Sequence, residues 1–133
     1  MAAIPNKILR QVKMTPRAKR RIMVIGFDEN FCYLMQRYGR ISANKLTFAN
    51  HNEDILQQVQ KNQPGVIFLE VAHPVSFAWT LFKELKANLD TCNIPVIICS
   101  WQGEDAEVEH ESGDYYLRLP ILYEHFKSAL DNV

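Results

Sequence analysis

Hydrophobic positions along the chain fall into two alternating patterns. Short unbroken apolar runs stand at Ile22–Ile25, Val66–Leu69 and Pro95–Cys99. They are too short for helices and too continuous for half-exposed strands, so they predict strands buried on both faces. Leu46–Ala49 and Tyr115–Leu117 are weaker runs of the same kind. Between them the apolar residues recur every three or four positions, the spacing of one helical face. From Glu29 to Arg40 that face is Phe31, Leu34, Met35 and Tyr38, with Gly39 near the helix end. In the next helix it is Ile55, Leu56 and Val59, with Asn50 or Asn52 as cap. In the longer helix after Pro74 it is Phe77, Leu81, Phe82, Leu85 and Leu89, which leaves Trp79 off the main stripe, either exposed or capping an edge of the core. In the last helix it is Leu122, Phe126 and Leu130. Residues 103–111 are polar and acid-rich and read as a short helix or a solvated loop. Gly26, Gln63-Pro64-Gly65 and Leu119-Pro120 supply the turns.

The order is a strand followed by a helix, five times over. Strands buried on both faces and alternating with helices imply right-handed crossovers and a parallel sheet covered on both sides. Five such units in about 110 residues predict a doubly wound sheet of strand order 2-1-3-4-5. A sheet of this kind carries its site at the carboxyl ends of the strands, near the switch point between strands 1 and 3. Those ends bear Gly26 to Glu29, Glu70 and Ser100.

Charge divides the chain in two. The formal net charge of the 133 residues is zero, yet residues 1–21 hold Lys7, Arg10, Lys13, Arg17, Lys19, Arg20 and Arg21 and no acid. The remainder is correspondingly acidic, with 15 acidic against 8 basic side chains. We therefore divide the chain into a basic tail or linker, residues 1–20, and a domain, residues 21–133. Ile4, Ile8, Leu9 and Val12 share one helical face of the tail, between Pro5 and Thr15-Pro16. The tail reads as a solvated leader, with docking to a partner or to the domain's own acidic face as the alternative. Contact with nucleic acid or an anionic membrane is expected, if at all, only through this tail. Its acid-free start resembles a transit peptide only weakly, since it lacks serines.

At 47% apolar and 23% charged residues, the composition excludes a disordered chain. No run of 18 apolar residues is present, so no membrane-spanning helix is expected. No apolar stretch follows the basic start, so no secretory signal is expected. Cys32, Cys92 and Cys99 form no paired motif and point to a reduced, cytoplasmic setting. Cys32 and Cys99 fall on apolar faces and read as small core residues.

Candidate chemistry is sparse. Gly26-Phe27-Asp28-Glu29 is not a phosphate-cradling glycine loop. His51, His73, His110 and His125 lie in four separate segments, so each reads as an ordinary loop or surface histidine and no metal set emerges. Ser100, His73 and Asp28 would meet at one sheet edge, but no nucleophile elbow accompanies the serine. Taken alone, Glu70 is a solvated acid at a strand end. No enzyme and no cofactor is expected from these residues.

Four segments in register carry a resemblance. Val66-Ile67-Phe68-Leu69-Glu70-Val71-Ala72-His73-Pro74 resembles the third strand and following loop of response-regulator receiver domains, where the strand ends in a phospho-accepting aspartate and a proline follows four residues later. Ile94 to Ser100 resembles their fourth strand, which ends in Ser or Thr. Gly113 to Pro120 is similar to their fifth strand, which ends in Lys-Pro. The first strand matches in place and hydrophobicity. The resemblance spans residues 20–131 and implies a flavodoxin-like fold with a role in two-component signalling.

The departures fall on the reactive positions. Receivers carry an acidic pair after strand 1 that binds Mg²⁺, and Gly26 and Phe27 stand there, with Asp28 and Glu29 displaced beyond. Glu70 takes the acceptor position and Leu119 that of the lysine contacting the phosphoryl group. Ser100 and Tyr116 match the switch pair. Phosphoryl transfer is mainly positioning and charge neutralisation, and a displacement of about 1 Å costs on the order of 10²-fold. The resemblance with these losses implies a pseudo-receiver that works through protein contacts. Phe27 is expected to fill the pocket with Leu119 packed against it. The alternatives are a Mg²⁺-dependent receiver using Glu70 or Asp28, and a small-molecule binder using the same crevice. Glu70 would stand in for a permanent negative charge. Partners would be a signalling kinase, an output domain or a second copy, docking on a face that includes Glu104, Asp105, Glu107, Tyr115 and Tyr123, with Trp101 in the same region.

Overall fold

The computed structural model describes residues 20–72, 75–101 and 114–133, without the side chains of residues 75 and 76. The expected tail helix, His73, Pro74, His110 and the acid-rich stretch with Glu104, Asp105 and Glu107 lie outside these residues. Five strands build the sheet: β1 Arg21–Ile25, β2 Lys45–Phe48, β3 Val66–Glu70, β4 Val96–Ser100 and β5 Tyr115–Arg118. All neighbouring strands are parallel and the order is 2-1-3-4-5. Four helices are described: α1 Glu29–Ser42, α2 Ile55–Asn62, α3 Val75–Ala87 and α4 Tyr123–Asn132.

The unbroken apolar runs are what a sheet covered on both sides requires. Every residue of β3 and β4 is buried. Alternate residues serve opposite layers. Met23, Ile25, Ile67, Leu69, Val96 and Ile98 pack under α2 and α3. Ile22, Val24, Val66, Phe68, Ile97 and Cys99 pack under α1 and α4. On that second side Phe126 stacks on Phe68 with ring centroids 5.2 Å apart, and the buried Tyr38 hydroxyl donates to the Ile121 carbonyl at 2.8 Å. Strand β2 is the exposed edge, which explains its weaker pattern.

Three expectations about the helices need correction. Helix α2 is capped by neither Asn50 nor Asn52. Asp54 immediately precedes its first residue, and its carboxylate accepts from the Gln57 amide at 3.1 Å. Asn50 instead folds its own loop, accepting from the Asn52 amide. Helix α3 is rotated from the expected stripe. Ala78, Trp79, Leu81, Phe82 and Leu85 are buried, whereas Phe77 is exposed and Leu89 lies beyond the helix end in solvent. Trp79 is thus a core residue, set edge-on to Phe82. Leu122 is exposed at the start of α4, while Phe126 carries that helix's packing. The cysteines are free thiols: Cys99 is fully buried in the core, and Cys32 is half-buried and packed against the same cluster.

The two described cations of the basic N-terminal segment, Arg20 and Arg21, serve the folded body. The Arg20 guanidinium donates to the Leu130 and Val133 carbonyls, and that of Arg21 to the Asn62 carbonyl. Each satisfies carbonyls at a helix C-terminus, where a positive charge also meets the negative end of the helix dipole. At the far side of the sheet, Lys86 ties the Cys92 and Ile94 carbonyls to the Asp114 carboxylate, which also accepts from the Val96 amide at 2.7 Å.

Candidate functional site

Parallel strands bring their carboxyl ends to one edge, so the loops after β1, β2 and β3 become neighbours. Glu70, the last residue of β3, is 3% exposed. It is therefore not a solvated strand-end acid. Its Oε1 accepts hydrogen bonds from the Phe27 amide at 2.6 Å and the Asp28 amide at 3.0 Å. Both amides belong to the turn that leads from β1 into α1, where N–H groups lack helical partners. An internal carboxylate thus occupies an anion-binding backbone.

The other candidate residues are arranged around that contact. Asp28 caps α1, its Oδ2 accepting from the Phe31 amide at 3.0 Å. Glu29 lies in the first turn of α1 and is exposed. Gly26 leaves no room for a side chain, since a Cβ there would lie 2.8 Å from the Phe31 ring and 2.9 Å from Cys32 Sγ. Phe27 does not fill a pocket with Leu119. It is 41% exposed and rests on His51 and Phe77, at centroid separations of 4.5 and 5.6 Å. The two residues line different cavities. Phe27 lines one of about 510 Å³ with His51, Leu56 and Phe77. Leu119 is buried and lines another of about 500 Å³ with Asp28, Glu70 and Trp101. The physical reason is that the Phe27 amide is held by Glu70, and the ring finds apolar cover beside α2 and α3.

Ser100 and Tyr116 meet as expected, Oγ to hydroxyl at 2.7 Å. The Leu119 amide donates to the Ser100 carbonyl, and the Leu119–Pro120 bond is cis. Tyr115 and Tyr123 are half-buried against the α1–α4 core, with Tyr123 beside Tyr38 and Phe126. Sequence reasoning missed His51. Its Nε2 donates to the Gly26 carbonyl at 2.6 Å, which ties the loop after β2 to the loop after β1. The signal was its position just past β2, which the sheet order places beside β1.

Burial pushes the Glu70 carboxyl above the usual carboxylate range. The Phe27 and Asp28 amides oppose this, the Asp28 charge adds to it, and His51 offsets it. Burial, then the Glu70 charge, also raises the thiols of Cys32 and Cys99. A carboxyl that titrates higher when folded binds protons more tightly in the native state. Its contribution to stability is present in full below the unfolded Glu value and is lost as pH rises through the folded one. Each factor of ten in proton affinity corresponds to about 1.4 kcal/mol. Glu70→Gln should therefore gain stability over the parent as pH rises from 4 to 8 in chemical denaturation. A constant difference across that range would contradict the burial argument.

A metal site fits these residues poorly. Positions 26 and 27 offer no side-chain oxygen, Asp28 is engaged as a cap, and one Glu70 oxygen is held by two amides. Mg²⁺ demands near-octahedral oxygen ligands. Among the described residues no three His, Cys, Asp or Glu side chains gather as a metal set.

The sequence matches no protein-family model and no curated protein. Its fold does match solved structures. A candidate response regulator from Chloroflexus aurantiacus superposes with TM-score 0.75 at 20% identity, over 86% of this chain and 96% of that one. The receiver domain of a sensor histidine kinase from Pseudomonas aeruginosa, with magnesium in its active-site cleft, gives 0.71 at 14% identity over 85% and 95%. The chemotaxis protein CheY4 of Vibrio cholerae gives 0.72 at 14% identity over 86% and 98%. The chain has the fold of receiver domains.

Proposed function

We propose that this chain is a pseudo-receiver: a signalling interaction module on the receiver fold that does not carry out phosphoryl transfer. One observation carries the reading. The side chain at the acceptor position, Glu70, is turned inward onto the Phe27 and Asp28 amides. An incoming phosphoryl group would have to displace that carboxylate and meet the Asp28 charge without a lysine, since Leu119 stands there. Transfer to a carboxylate relies on positioning and charge neutralisation, and this arrangement offers neither. The Ser100–Tyr116 contact keeps the residues of a receiver switch together. Output would then come from a surface, and the partner is a protein: a kinase, an output domain or a second copy. The net acidity of the body beyond the tail favours a partner with a basic face.

The test is a two-dimensional amide NMR titration of the full chain, first with Mg²⁺ and then with acetyl phosphate. The expected result is no saturable shift at Asp28, Glu70 or Ser100 and no second set of peaks. Saturable shifts followed by a slowly exchanging second set would overturn the proposal in favour of a Mg²⁺-dependent receiver.

A further inference from the structure

Two aromatic rings, Phe27 and Phe77, meet edge-on at a centroid separation of 5.6 Å, yet 41% and 43% of these residues stay in solvent. Leu56 and Leu81 line the same groove. An exposed apolar patch with a polar rim marks an interaction surface. Here the rim is acidic. Glu53, Asp54 and Glu84 line it, and none of its described lining residues is Lys or Arg. Asp54 serves as the cap of α2, but no cation pairs with any of the three, since the one ion pair among the described residues joins Lys86 to Asp114. The groove therefore fits a segment that is apolar on one side and basic on its flanks.

The chain carries such a segment outside the described residues. Residues 1–19 hold Lys7, Arg10, Lys13, Arg17 and Lys19 and no acid. At helical spacing Ile4, Ile8, Leu9 and Val12 share one side, and Lys7 and Lys13 flank it. The tether has the right length. Arg20 is fixed at the amino end of β1 through its bonds to the Leu130 and Val133 carbonyls. Phe27 lies just past the carboxyl end of that strand, whose five residues rise about 17 Å. Residues 13–19, extended, reach about 23 Å, which brings Val12 to the level of Phe27. A short tether also holds its segment at an effective concentration in the millimolar range, which favours it over a free partner. We propose that residues 4–13 of the chain's own tail dock in this groove, with Ile8, Leu9 and Val12 against Phe27 and Phe77 and the flanking lysines on Glu53 and Glu84. The basic tail then neutralises part of the acidic body and covers its exposed rings. This inference does not depend on the pseudo-receiver reading, since the groove and the tail stand apart from Glu70.

The test begins with nuclear Overhauser spectra of the full chain at two concentrations. Expected are cross-peaks from the Ile8, Leu9 and Val12 methyls to the Phe27 and Phe77 rings, with intensities per molecule unchanged on dilution. Cross-peaks that fade on dilution would put the tail of a second copy in the groove and overturn the proposal, as would cross-peaks to another face or none at all. Leu9→Asp, a change outside the folded body, should empty the groove. A synthetic peptide of residues 1–16 should then shift the Leu56, Phe77 and Glu84 amides saturably, whereas the parent chain should bind it at least about tenfold more weakly because its own tail competes. In the Leu9→Asp chain, Phe77→Ser should weaken the peptide by about tenfold, as loss of an aromatic anchor does. Glu84→Lys should weaken it by about two- to fivefold, a difference that added salt removes. Both positions are exposed, so neither change threatens the fold. Equal peptide affinity in the parent and the Leu9→Asp chain, or affinity unmoved by both groove substitutions, would overturn the proposal.

Discussion

Gly26→Asp is expected to destabilise the protein by about 3 kcal/mol and to confer no response to Mg²⁺. Two effects combine. A Cβ at position 26 would lie 2.8 Å from the Phe31 ring, which is buried between α1 and the sheet and has no free direction in which to move. Overfilling a packed site of this kind typically costs about 1–3 kcal/mol. The new carboxylate would also stand beside Glu70 and Asp28, with no cation among the described residues of the cavity lining to balance it, which raises the cost of ionisation. Urea denaturation would read the effect as a lower midpoint with an unchanged slope. A variant as stable as the parent, or one whose lost stability returned on adding Mg²⁺, would show that the turn after β1 still accepts a metal ligand. The absence of an acidic pair after β1 is thus built into the packing of α1.

Phe126→Ala is expected to cost about 3–5 kcal/mol, the usual range for deleting a buried aromatic ring. Phe126 is fully buried, stacks on Phe68 and touches the rings of Tyr38 and Tyr123. It is the main link between α4 and the sheet. Domains of this size are stable by about 5–15 kcal/mol in total, so the variant should sit near its unfolding threshold at ordinary temperature. Thermal unfolding followed by far-ultraviolet circular dichroism would show a much lower midpoint. A loss below 1 kcal/mol would mean that α4 is held by other contacts, for example by Arg20 at its C-terminus.

The sheet was legible because its central strands are buried on both faces and so leave an uninterrupted apolar signature. The strand order followed from counting strand–helix units, and the site followed from the strand order. Ser100 and Tyr116 could be paired in advance only because both match the switch positions of the receiver resemblance; the structure then sets Tyr116 opposite Ile98, two residues before Ser100. What failed concerns rotation and backbone donors. Helix α3 begins with the nearly continuous apolar stretch Val75-Ser76-Phe77-Ala78-Trp79, and each residue of offset turns the helix by about 100°. Tertiary packing turned the helix so that Ala78 and Trp79 join Leu81, Phe82 and Leu85 in the core, in place of Phe77 and Leu89. Phe27 was misplaced for a different reason. The group that fixes it is its own amide, held by Glu70, and a backbone donor leaves no mark in the sequence. The engagement of Glu70 was hidden in the same way. Asp54 outcompeted Asn50 and Asn52 through its position directly before the first helical residue.

Arg20 reaches the carbonyls of Leu130 and Val133, so the first and last described residues of the body lie side by side. They meet below the amino ends of the strands, at the opposite pole from Glu70. A host chain could therefore enter and leave this body through a single gap of side-chain length, as through a loop of its own. Residue 133 could equally be joined to residue 20 by a few glycines and the chain reopened elsewhere, with β1 still central and the strand-end crevice unaltered. The unit is topologically portable: its attachments and its cavity occupy separate ends of the same sheet.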